Sequence, residues 1–150
     1  MDITVNYATA DGTALAGLDY VAANDSVTFA ANETQKTISV SIIEDSLDED
    51  EESFSVSLTG ASQGEVQEAE SAAVVSIEDN DDAPTINLSD DFSVSEDANT
   101  AVVEFNLSQV SGKRISFNYA TQSTNQNASL FNAKSGVVNF EPGESSKSVT

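Results

Sequence analysis

Apolar and polar residues alternate along most of this chain with a period of two, the signature of half-buried strands. Ile3, Val5 and Tyr7 share one face, and Val27 and Phe29 share another. After a turn around Ala31–Glu33 the pattern resumes with Ile38, Val40 and Ile42. Phe54, Val56 and Leu58 alternate with Ser53, Ser55 and Ser57, and a further strand is expected over Ala73 to Ile77. Beyond Pro84 the same reading predicts strands at Ile86 and Leu88, at Phe92 and Val94, at Val103, Phe105 and Leu107, and over Ile115 to Tyr119. No segment sustains a 3.6-residue period. Many short strands divided by polar turns predict an all-β, antiparallel sandwich of the immunoglobulin-like kind.

The pattern also repeats at long range. Ile3-Thr-Val-Asn-Tyr-Ala-Thr9 returns as Ile115-Ser-Phe-Asn-Tyr-Ala-Thr121. Val27, Phe29, Glu33, Lys36 and Ile38 return as Val138, Phe140, Glu144, Lys147 and Val149. An offset of 111–112 residues is a domain length rather than a solenoid turn. The chain is expected to hold about one and a third repeats. The first is placed at residues 1–82, without its opening strands, and the second at 83–150, represented by its N-terminal part. Met1 stands directly before a strand, so the chain is expected to open inside a longer one. A linker as short as Asp82-Ala83-Pro84 predicts stiffly joined neighbouring repeats.

Charge changes the picture more than composition does. With 26 acidic and five basic residues, the net charge is -21. Nucleic acid is disfavoured, because holding a phosphate backbone takes Lys and Arg that displace counterions. The same deficit disfavours anionic membrane surfaces, and no apolar run reaches the roughly 18 residues of a spanning helix. The chain has neither Cys nor His, which removes disulfides, thiolate chemistry, the commonest general base and the commonest transition-metal ligand. What remains is an oxygen-only donor set suited to hard cations such as Ca²⁺ or Mg²⁺.

The acids cluster in two runs that follow strand ends, Glu44 to Glu52 after Ile43 and Glu78 to Asp82 after Ile77. Asp19 stands in the loop Gly12 to Tyr20, and Glu96 follows Val94 and Ser95. No single-loop EF-hand pattern occurs, so a cation site would have to be assembled from distant segments. Crowded carboxylates repel one another until a cation arrives, and calcium binding would then stabilise the fold. The same runs serve equally as solvated loops that keep the chain soluble. Composition leaves both readings open. A carboxylate pair could also hydrolyse glycosides, but acids in open charged loops lack the cleft that such chemistry needs. The chain is therefore read as non-enzymatic.

The ordered motifs narrow the choice. Val5-Asn-Tyr-Ala-Thr-Ala-Asp-Gly-Thr-Ala14 with Gly17-Leu-Asp-Tyr20, Val27-Thr-Phe29 with Lys36-Thr-Ile38, Ile42-Ile-Glu-Asp45 through Glu49 to Glu52-Ser-Phe54, and Val75-Ser-Ile-Glu-Asp-Asn-Asp81 resemble the Calx-beta domain. Val94-Ser-Glu-Asp97 resembles that family's opening segment. The family occurs in sodium/calcium exchangers and in large repetitive bacterial surface proteins. The resemblance implies a seven-stranded antiparallel sandwich that binds calcium ions at one end. The implied ligands are Asp19, Glu44, Asp45, Glu49, Asp79, Asn80 and Asp81, with Glu44 and Asn80 standing where exchanger domains carry Asp. Glu96 matches the family's early glutamate but belongs to the second repeat. There Asp19 is replaced by Leu130, and Tyr20 by Phe131.

The resemblance also implies a setting, that of an extracellular adhesin-like bacterial surface protein whose repeats calcium makes rigid. Its expected partners are calcium ions and neighbouring repeats. Because Pro84 to Asn118 copies strands missing from the first repeat, strand exchange between two copies of the chain is a further expectation, with Glu96 of one completing the site of the other. The rival reading is a metal-independent spacer or adhesion repeat, of which Leu130 is an example.

Overall fold

The computed structural model describes residues 1–66, 71–123 and 131–150. The chain is all-β, with nine strands and one 3₁₀ turn at Glu96–Ala98 among the described residues, and every ladder is antiparallel. It divides into two compact units, residues 1–46 with 51–79, and residues 47–50 with 80–150.

The first unit is built on one four-stranded sheet. β1 (Ile3–Asp11), β2 (Asn24–Phe29), β3 (Glu52–Ala61) and β4 (Ala72–Ile77) lie in the order β2-β1-β3-β4. β1 pairs with β2 from Ile3 opposite Phe29 to Ala8 opposite Asn24. Its register with β3 shifts between Asn6 and Tyr7 and ends with Asp11 opposite Phe54. Glu52 lies opposite Ile77, so the start of β3 and the end of β4 meet at one end of the sheet. On one face Phe54, with Val56, Val75 and Ile77, is covered by Ala14, Tyr20 and Val40. Tyr20 and Phe54 are both 1% exposed and stack with ring centroids 4.1 Å apart and planes 8° from parallel. Burying a large side chain of this kind contributes about 1.5–3 kcal/mol.

The second unit is a small two-layer sandwich. β5 (Ile86–Leu88), β6 (Val103–Leu107) and β9 (Ser146–Val149) form one sheet in the order β5-β6-β9. β7 (Ile115–Ala120) and β8 (Ser135–Phe140) form the other. Phe105 and Leu107 from the first sheet pack against Val138 and Phe140 from the second, with Ile115, Phe117 and Tyr119 around them. Phe105 meets Phe117 edge-on at 5.1 Å.

Two expected strands are not strands. Ile38 and Val40 are half-buried, with Val40 on the core, but Ile42 is 48% exposed and the segment carries only an isolated bridge between Ile42 and Tyr20. Phe92 and Val94 are 53% and 54% exposed and lie outside any ladder. Alternation alone does not make a strand, which takes a continuous run of hydrogen bonds to a neighbour.

Candidate metal centre

Within the first unit, the loop that follows β1 folds back over the sheet. Its path starts at Gly12, where a β-carbon would stand 2.3 Å from the Ser53 carbonyl oxygen, so only glycine allows this approach. Ala14 N donates to Ser53 O at 3.0 Å, and Ser53 N donates to Thr13 Oγ1 at 2.8 Å. These bonds tie the loop to the residue next to Glu52. Further along, Asp19 N donates to Leu15 O at 3.0 Å, and Asp19 Oδ2 accepts from Leu15 N at 2.6 Å. Asp19 O accepts from Ile43 N at 2.9 Å, which brings the loop alongside the start of the first acidic run.

The loop is closed by Asp11. Its Oδ1 accepts from the Tyr20 hydroxyl at 2.7 Å and from Ala16 N at 2.9 Å. The Tyr20 hydroxyl, and secondarily the Ala16 amide, hold the Asp11 carboxyl below its ordinary range. The same bond, with burial, pushes the Tyr20 phenol up.

Asp19 and Glu52 each offer a carboxylate oxygen, and the two lie within 4.8 Å of each other. Oxygens bound to one calcium at about 2.4 Å can be at most about 4.8 Å apart, so the spacing suits a shared ion. Both side chains are half-buried. An all-carboxylate donor set fits a hard divalent cation.

Of the residues expected to be ligands, Asp19 belongs to this pair, and Glu49 is half-buried in the segment 47–50, which belongs to the second unit. Glu44 and Asp45 are exposed beside Ile43, and Asp79 is exposed two residues beyond the end of β4. In the second unit Asn80 is exposed and Asp81 half-buried, while Glu96 lies exposed in the 3₁₀ turn. Leu130 falls outside the described residues. Glu52 was not among the expected ligands, yet the alternation contains the signal for it. Glu52, Phe54 and Val56 occupy one face of β3, so Glu52 ends the same row that packs on Tyr20, the neighbour of Asp19.

Asp48, in the middle of the same acidic run, has a different role. It is 4% exposed and belongs to the second unit. Its carboxylate accepts from Lys113 Nζ at 2.6 Å and from Ser111 Oγ at 2.8 Å, and its carbonyl accepts from Gly112 N at 2.9 Å. The Lys113 ammonium, then the Ser111 hydroxyl, hold its carboxyl below the ordinary value.

Comparison with known proteins places this geometry in a family. The Calx-beta domain profile matches residues 1–81 and again residues 79–150, so the chain belongs to the Calx-beta family. Sodium/calcium exchanger 1 of Canis lupus familiaris is 35% identical over 95 residues, which is 59% of this chain and 10% of the exchanger. Sodium/calcium exchanger 2 of Homo sapiens is 40% identical over 63 residues, 42% of this chain and 7% of that protein. The chain thus spans a tenth or less of these relatives. Among solved structures, the calcium binding domain CBD12 of CALX1.1 superposes with a TM-score of 0.52 at 26% identity, covering 99% of this chain and 61% of that one. The apo-form Calx CBD1 domain gives 0.51 at 31% identity, covering 53% and 71%.

Proposed function

We propose that the first unit is a non-catalytic calcium-binding module, with Asp19 and Glu52 at the heart of the site. The approach of their carboxylate oxygens to within 4.8 Å carries this reading. Calcium takes six to eight oxygens, so further ligands are needed. Glu44, Asp45 and Asp79 of the same unit are proposed as further ligands. Titration calorimetry tests the reading directly. Wild type should give a saturable calcium heat and a calcium-dependent rise in melting temperature, and Glu52→Ala should lose most of both. A flat titration of wild type overturns it.

For the second unit a metal-independent spacer is the better reading. The specific observation is Leu130, an apolar side chain where the first repeat carries Asp19. Residues 1–82 and 83–150 are proposed as tandem units of one longer array, in which calcium would make the first type rigid and leave the second unaffected. Protease resistance with and without calcium distinguishes the two.

Strand exchange between copies is proposed for the isolated chain, on the exposed apolar side chains of Leu88, Phe92 and Val94 in the segment that would move. By that exchange Glu96 of one copy would join the first-unit site of the other. Sedimentation showing a folded monomer in calcium ends this idea. Placement on a bacterial surface rests on the resemblance alone, and the mammalian exchangers matched lend it no support.

A further inference from the structure

We propose that Asp11 and Tyr20 form a latch that positions Asp19 for the cation, so that both are positioning residues of the metal site. This rests on the calcium reading above. The loop from Gly12 to Tyr20 is long and carries two glycines, and on its own would leave Asp19 free to adopt many positions. Three contacts remove that freedom. The Tyr20 ring is clamped on Phe54, its hydroxyl is held by Asp11 Oδ1 at the end of β1, and the same oxygen takes the Ala16 amide inside the loop. Asp19 is joined covalently to Tyr20, and its Oδ2 takes the Leu15 amide next to Ala16. One carboxylate therefore fixes both sides of the loop that carries another. Neither Asp11 nor Tyr20 belongs to the pair of converging acids, so their role is exerted through Asp19.

The internal repeat supplies an independent observation. At the second repeat's equivalent of Asp11 the chain has Gln122-Ser123, at that of Tyr20 it has Phe131, and at that of Asp19 it has Leu130. The ring is kept, whereas the hydroxyl, its acceptor and the ligand are lost together. A tyrosine hydroxyl needed only for packing would have no reason to disappear with the ligand.

Tyr20→Phe tests the latch, because it keeps the ring on Phe54 and deletes only the hydroxyl. In metal-free protein, hydrogen exchange at the Leu15 and Ala16 amides should quicken relative to wild type. By calorimetry the calcium Kd should rise about tenfold or more, the usual effect of removing an outer-shell partner. Asp11→Ala should do the same, and Asp11→Asn, which retains an oxygen acceptor, should restore binding close to wild type. Should Asp11→Ala not fold, Tyr20→Phe decides alone. A lower melting temperature in EDTA with an unchanged Kd overturns the latch, as does unchanged exchange at both amides. If wild type itself takes up no calcium, the calcium reading falls and the latch with it. A calcium-binding wild type with an unaffected Tyr20→Phe sinks the latch only.

Discussion

Residues 24–38 and 135–149 are two copies of one segment, and they fold differently. In the second unit the copy yields two strands, β8 paired with β7 and β9 paired with β6. In the first unit its opening half forms β2 on β1, while the part equivalent to β9 joins no ladder. The turn between the halves is the same in both. Asn32 has φ 73° and Gly143 has φ 81°, at matching positions. Glu33 and Glu144 each accept from the amide three residues back and pair with Lys36 and Lys147 at 2.7 Å. Local chemistry thus carries the turn unaided. A strand is completed only by a neighbour whose N–H and C=O groups can meet its own.

The site loops extend the contrast. The first unit uses a tyrosine hydroxyl and an aspartate to close the loop that bears Asp19, and its core there is built on the Tyr20–Phe54 stack. The second unit has a phenylalanine-rich core with Phe105, Phe117 and Phe140, and its buried acid Asp48 is neutralised by Lys113. In the first unit Asp19 and Glu52 bring carboxylate oxygens within 4.8 Å of each other, whereas in the second Asp48 lies against the Lys113 ammonium.

Phe140→Ala and Phe54→Ala break the comparison most severely. Each removes a side chain that is 1% exposed and should cost about 3–5 kcal/mol in urea unfolding. Only Phe54→Ala should also weaken calcium binding, since Tyr20 stacks on it; an equal effect of Phe140→Ala on calcium would show that the units are not separate in function. Next in size, Asp19→Ala should abolish the calcium stabilisation of wild type, about 2.7 kcal/mol at a hundredfold excess of free calcium over Kd. Melting curves in EDTA and in calcium read this difference.

Asp48→Asn should cost about 2 kcal/mol through loss of a charge-assisted bond, with no change in calcium Kd. Because Lys113 and Ser111 depress the Asp48 pKa in the folded state, the bond's stabilisation is complete above the ordinary aspartate value of 3.8 and is lost as pH falls through the lower folded value. Acid unfolding of Asp48→Asn should therefore lack that component. Smallest of all is the turn exchange. Gly143→Val should cost about 1–2 kcal/mol, because a branched side chain resists positive φ, whereas Asn32→Gly should lie within a few tenths of wild type. Equal effects would mean that the two turns are not equivalent.

Much of the candidate site could be read before the fold was known. Asp19 was expected as a ligand and approaches Glu52, and the second acid run follows the end of β4 at Ile77, whereas the first follows Ile43, which lies in no ladder. Two things escaped. Glu52 was absorbed into its charged run, although its period with Phe54 set it on the core-facing row. Asp48 looked like one more solvated or metal-seeking acid, because nothing nearby in sequence announces a lysine 65 residues away.

Alternation, repeat length, turn residues and the oxygen-only donor set were determined by the sequence itself, since each depends on residues within a few positions of one another or on counting. Tertiary structure decided which alternating segments became strands, which acids converge, and that Asp48 meets a lysine far away in sequence. Those outcomes depend on contacts between distant segments, where backbone partners and neighbouring charges are supplied by the fold.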